Sequence, residues 1–173
     1  VQFWAPQYIE DMEVLQQVVG SREVTKVNSD DKGVLKSNDE KEEEAYQEIK
    51  DKLGIDPVRV IKQLPYMKFV DMQLDIDLRV ANIFYSNDGE IISYIISCSQ
   101  EDAVWGIDIE DIFIEEYSYL LDNIQILIQE YEIAETGEKK YSANFEYKKV
   151  YYQLTGIITR EQLEEILNNL HFL

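Results

Sequence analysis

The chain has 173 residues with 16 basic against 35 acidic side chains, a formal charge of −19 at pH 7, and enough length for one domain with a real core. Its 45% apolar and 29% charged content is globular, and seven glycines with three prolines exclude a collagen-like or low-complexity chain. The acidic balance excludes roles that rest on neutralising nucleic-acid phosphates or on attraction to an anionic membrane surface.

Residues Pro6 to Val19 read as a first helix. Proline suits its first turn, Glu10, Asp11 and Glu13 suit its N-terminal half, and Gly20 stops it. Arg22 to Val27 reads as a short strand. From Asn28 to Asn38 the chain turns polar, the composition of a linker, which separates an N-terminal region (1–38) from a single domain (39–173). A second helix then opens on a capping box of Ser37 and Glu40. Its apolar stripe is Ala45, Tyr46, Ile49 and Leu53, its C-terminal cap is Gly54, and Pro57 prevents continuation. Glu42, Glu43 and Glu44 read as the solvated face of that helix.

After Pro57 the apolar period changes from helical to two. Met67 to Ile76 reads as a strand, and Val80–Ser86 pairs with Glu90–Cys98 across Asn87-Asp88-Gly89, a strong hairpin signal. Phe113–Tyr119 and Ile124–Ile128 alternate across Asp122-Asn123, and Tyr141–Tyr147 and Val150–Leu154 across Lys148-Lys149. The last element is a helix with a Thr159/Gln162 capping box and the stripe Leu163, Ile166, Leu167, Leu170. The expected fold is α+β: an antiparallel meander of five to seven strands packed against a C-terminal helix, with an N-terminal helical segment.

Cys98 is the only cysteine, which rules out an internal disulfide and a thiolate metal site; on a strand ending with no evident cationic neighbour, it reads as a buried small hydrophobe. The only histidine, His171, falls in the last turn of the final helix, away from any acid–base arrangement. With no phosphate-binding glycine loop and no nucleophile elbow, the chain reads as a non-enzyme that needs no cofactor. One metal candidate exists: Asn28, Asp30 and Asp39 take positions one, three and twelve of a calcium loop with Gly33 at six. Lys32 at position five opposes a cation, so the segment reads as a solvated linker.

Asp71, Asp75 and Asp77 alternate along one expected strand, and Asp108, Glu110 and Asp111 cluster near Trp105. Paired carboxylates can serve as glycosidase acid and base across a sugar, with Trp105 stacking on it. The simpler account is one wet face of a sheet. Twelve tyrosines, many in the strand region, offer amphipathic rings. Tyr117, Tyr119 and Tyr152, together with Trp105 and Asp108, form the candidate ligand-binding set.

Several segments, in order, resemble a bacterial domain of unknown function catalogued under number 4367. An acidic helix ending in Lys52-Leu53-Gly54-Ile55 precedes Leu64-Pro65-Tyr66-Met67-Lys68-Phe69, similar to that family's Leu-Pro-Glu-Gly signature, with Tyr66-Met67 standing for Glu-Gly. Trp105-Gly106-Ile107-Asp108, Tyr151-Tyr152-Gln153-Leu154-Thr155-Gly156 and the helix from Glu161 to Leu170 follow. The first forty residues lie outside the likeness. The resemblance implies an extracytoplasmic domain tethered to the cell membrane, in proteins whose cytoplasmic part sometimes looks like an anti-sigma factor; it implies no catalytic residues. The abrupt start at Val1 fits a parent whose membrane span precedes it.

The expected function is therefore non-catalytic sensing or interaction, with a protein, peptide or cell-envelope component as partner and no nucleic acid. A carboxylate-based hydrolase acting on envelope glycans is the alternative. The negative charge has a place: residues 69–138 hold 17 acidic side chains and one basic one, Arg79, so the middle strands should carry a negative field.

Overall fold

The computed structural model describes residues 38–60, 64–99 and 111–172. The first expected helix, the short strand at Arg22–Val27, the calcium-loop residues Asn28 and Asp30, and the residues Trp105, Asp108 and Glu110 lie outside the described residues. Asp39 is an exposed residue in the first turn of a helix.

Helix α1 (Asn38–Leu53) carries Asp39 and Glu40 in its first turn and Lys50 and Lys52 in its last, each charge complementing the helix dipole. It ends where Gly54 adopts φ +69° and donates its N–H to the Lys50 carbonyl at 3.0 Å. A short strand β1 (Arg59–Val60) follows, then β2 (Lys68–Asp75), β3 (Val80–Asn87), β4 (Glu90–Ser97), β5 (Asp111–Leu121), β6 (Ile124–Ile133), β7 (Lys139–Tyr147) and β8 (Val150–Gly156). Helix α2 (Arg160–Asn168) and strand β9 (Leu170–His171) close the chain.

All three expected hairpins form. Asp88 and Gly89 take φ +48° and +85° between β3 and β4, the pair of left-handed residues that a two-residue turn matched to strand twist requires. Lys148 and Lys149 make the same kind of turn at φ +50° and +66°, without glycine or asparagine. The α2 capping box is also present: the Gln162 N–H donates to Thr159 Oγ1 at 3.0 Å, and the Thr159 N–H donates to Gln162 Oε1 at 3.1 Å.

The seven long strands are all antiparallel, in the order β2-β3-β4-β8-β7-β6-β5. These are two meanders, β2-β3-β4 and β5-β6-β7-β8, joined where β8 pairs with β4 at the centre of the sheet. The last strand of this sheet to emerge thus lies in the middle, and among the described residues β5 lies at one edge. Strands β1 and β9 form a separate two-stranded ribbon pairing Arg59 with His171. His171 is therefore an exposed ribbon residue and not part of α2, because Asn169 caps the helix two residues earlier.

One sheet face carries the core. Ala45, Tyr46, Ile49 and Leu53 of α1 and Leu163, Ile166 and Leu167 of α2 join Ile83, Tyr85, Ile92, Tyr94, Ile96, Ile126, Ile128, Ala143, Phe145, Tyr152 and Leu154 in a single apolar cluster. The three α2 side chains are fully buried, each stabilising the fold by about 1.5–3 kcal/mol. Tyrosine hydroxyls fasten the helical layer to the sheet. Tyr94 Oη donates to the Val58 carbonyl at 2.6 Å, and the Val58 N–H donates to Tyr152 Oη at 3.1 Å. Both polar groups of one buried peptide position are thereby met by neighbouring strands.

Candidate functional site: an acidic edge strand and the cavity beside it

The opposite face of the sheet is polar. Register places Asp71, Phe84, Ser93, Thr155, Ser142, Gln129 and Glu116 in one row across all seven strands. A second row runs Gln73, Asn82, Ile95, Gln153, Asn144, Leu127, Ser118. The central members are buried and bonded to one another: Ser93 Oγ donates to Asn82 Oδ1 at 2.6 Å, and Gln153 Nε2 donates to Ser142 Oγ at 3.0 Å. Asp71 and Asp75 share this face, as expected, whereas Asp77 lies in the turn after β2, and Asp75 Oδ1 accepts the Leu78 N–H at 2.9 Å. The alternating strand carbons decide that pattern.

At one end of the sheet a cavity of about 230 Å³ is bounded in part by Glu90, Asp111, Glu138, Lys140 and Gly156. Lys140 Nζ lies 2.9 Å from Asp111 Oδ2, and both side chains are nearly inaccessible, at 3% and 4%. This is the one acid of the expected cluster near Trp105 that lies among the described residues, and a lysine neutralises it. Burial pushes the Glu90 carboxyl above its usual range, and the nearby Glu138 charge pushes it the same way. Among the described residues no group of three or more His, Cys, Asp or Glu side chains is placed to hold a metal ion.

The candidate tyrosines lie on the helical side of the sheet. Tyr152 is buried, its ring stacked on Phe145 at 4.9 Å between centroids, and burial pushes its hydroxyl pKa up to about 12. Tyr119 Oη donates to Asn168 Oδ1 at 3.0 Å. The Tyr117 ring sits beneath the Arg160 guanidinium, 4.3 Å from its centroid, so a cation–π contact ties β5 to α2. All three serve as fasteners of the core; Tyr117 and Tyr119 keep partial exposure at the β5 edge. The Cys98 thiol is half-buried just after β4. Burial raises its pKa more than the nearby Arg79 lowers it, so it stays a protonated thiol despite a cation that the sequence reading did not place there.

The edge strand β5 is the most exposed element of the sheet. Ile112, Phe113, Ile114 and Leu120 are exposed, Leu120 by 71%, and Glu115 and Glu116 stand beside them. A register shift between Phe113 and Glu115 marks a bulge at Ile114. Sequence reasoning found the tyrosines of β5 but not its edge position, which depends on the long-range pairing of β4 with β8. The available signal was the apolar run Ile112-Phe113-Ile114 directly before two glutamates.

Neither a curated protein nor a solved structure matches the chain. The family described as Domain of unknown function (DUF4367) matches residues 60–170, from β1 through the ribbon strand β9. That span is well over half of the 173 residues and includes every strand of the main sheet and α2. The chain therefore belongs to the DUF4367 family.

Proposed function

We propose that this domain is a non-catalytic extracytoplasmic sensing or interaction module, tethered to the membrane of its parent bacterial protein and coupled there to an anti-sigma-type regulator. The observation that carries the interaction reading is β5: a long edge strand presenting exposed apolar and acidic side chains. A protein, peptide or cell-envelope component is the partner class. The tether and the regulatory role rest on the family likeness. An alkaline phosphatase reporter fused after Leu173 in the full-length gene tests the location, because that enzyme is active only outside the cytoplasm. Activity in intact cells is the expected result; activity only from a cytoplasmic reporter overturns the reading.

A second reading, a carboxylate-based hydrolase acting on envelope glycans, draws on Glu90, whose raised carboxyl stands beside Glu138 at the cavity. Purified cell-wall material incubated with the protein tests it. Release of reducing ends that Glu90→Gln abolishes would displace the interaction reading.

A further inference from the structure

We infer that the outer edge of β5 accepts an extended, cationic segment of another protein, which adds to the sheet as an eighth strand. The inference rests on the interaction-module reading and names the chemistry of its partner. Three independent features point there.

The first is the backbone. Strand β5 terminates the sheet order, and among the described residues no strand lies beside its outer edge. The other terminal strand, β2, packs against α1. A two-residue turn closes an antiparallel hairpin on a mutually bonded pair, here Leu121 with Ile124. Alternation then assigns the backbone groups of Tyr117, Tyr119 and Leu121 to β6, and turns those of Glu116, Ser118 and Leu120 outward. Such a row is a template for strand addition.

The second is the lack of lysine and proline on the strand. Edge strands are commonly blunted by lysine or proline. The sequence Asp111-Ile112-Phe113-Ile114-Glu115-Glu116-Tyr117-Ser118-Tyr119-Leu120-Leu121 has neither. Its bulge at Ile114 interrupts one end only, leaving Glu115 to Leu121 as a regular stretch.

The third is charge. Strand β5 holds three acids and no base. Lys140 occupies Asp111, and Arg160 approaches Glu115 only to 4.0 Å, so Glu115 and Glu116 present most of the free charge. A second copy pairing antiparallel about Ser118, the middle of the regular stretch, would set Glu116 opposite the partner's Leu120 and bring no base to either carboxylate. In a strand alternating lysine or arginine with β-branched residues, the basic side chains share the face of Glu116 and Leu120, their charge meeting Glu116 and their stems covering Leu120, while the β-branched residues lie beside Tyr117 and Tyr119 on the other face. The same field raises its encounter rate and makes binding salt-sensitive.

The test is an NMR titration of the isotope-labelled full chain with a nine-residue peptide alternating lysine with valine. A matched peptide with glutamate for lysine is the control. The expected result is amide shifts concentrated in β5 and β6, weakened by added salt and absent with the acidic peptide. Ser118→Pro removes an outward donor without touching the β6 ladder, so it should abolish the shifts while the melting temperature holds. Glu116→Lys should weaken them. Shifts centred elsewhere, equal binding of the acidic peptide, or undiminished binding by Ser118→Pro would overturn the proposal. So would hydrogen-exchange protection of the Glu116, Ser118 and Leu120 amides in the peptide-free monomer, which would show that the chain fills its own edge. Concentration-dependent association through β5 would assign the edge to a second copy. None of these results depends on the reporter experiment, so failure of the edge and failure of the extracytoplasmic reading are separately readable.

Discussion

Replacing Lys140 by methionine isolates the energetics of the cavity end of the sheet. Methionine preserves the length of the stem while removing the ammonium 2.9 Å from Asp111 Oδ2. The Asp111 carboxylate, 4% exposed, then faces a cavity that already holds Glu90 and Glu138. Breaking one side of a buried pair costs about 3–5 kcal/mol. Urea unfolding of Lys140→Met at pH 7 should therefore show a loss of roughly 3–5 kcal/mol. In a domain of this size that is a fall of roughly 6–20 °C in Tm. The double variant Lys140→Met/Asp111→Asn removes both charges of the pair and should recover most of the loss. A loss below about 1 kcal/mol, or a double variant as unstable as the sum of its parts, would refute this account of the ion pair.

Three further outcomes follow from single contacts. Tyr152→Phe leaves the buried Val58 N–H without its 3.1 Å acceptor and should cost about 1–3 kcal/mol by thermal unfolding, with little change in the sheet's circular dichroism. Glu42 accepts the Tyr85 hydroxyl at 2.5 Å, yet burial raises its carboxyl pKa. A raised carboxyl favours the folded state when protonated, and that contribution is lost as pH rises from the ordinary value of 4.5 through the raised one. Glu42→Gln keeps an acceptor without the charge, so its Tm relative to the parent protein should climb across that pH window; a flat difference would contradict the sign. Lys148 and Lys149 sit in left-handed backbone at a cost of about 1–2 kcal/mol each, so Lys148→Asn/Lys149→Gly should raise Tm, measured by scanning calorimetry.

Local elements were legible because their determinants lie within a few residues. The Thr159/Gln162 box, the Gly54 cap and the Asp88-Gly89 turn each satisfy or direct backbone groups of their own segment. The charge of the middle strands was equally plain, being a count of side chains. The candidate site was legible only in part. Tyr117 and Tyr119 were picked out by residue type, but type alone did not show that Arg160 and Asn168 engage them from α2.

By itself, then, the amino-acid order determined the α+β class, the three hairpins, the Gly54 cap, the Thr159/Gln162 box and the concentration of acid between residues 69 and 138. The tertiary structure decided that β8 enters between β4 and β7, which leaves β5 at an edge and joins two meanders into one sheet. It also decided that Lys140 neutralises Asp111, that Tyr94 and Tyr152 hold Val58, and that His171 joins a ribbon with Arg59. The physical reason is sequence distance. A turn or cap is set by neighbours along the chain, whereas the β4–β8 pairing, the Lys140–Asp111 ion pair and the ribbon join residues 29 to 112 positions apart, and their choice depends on how all the apolar faces close together.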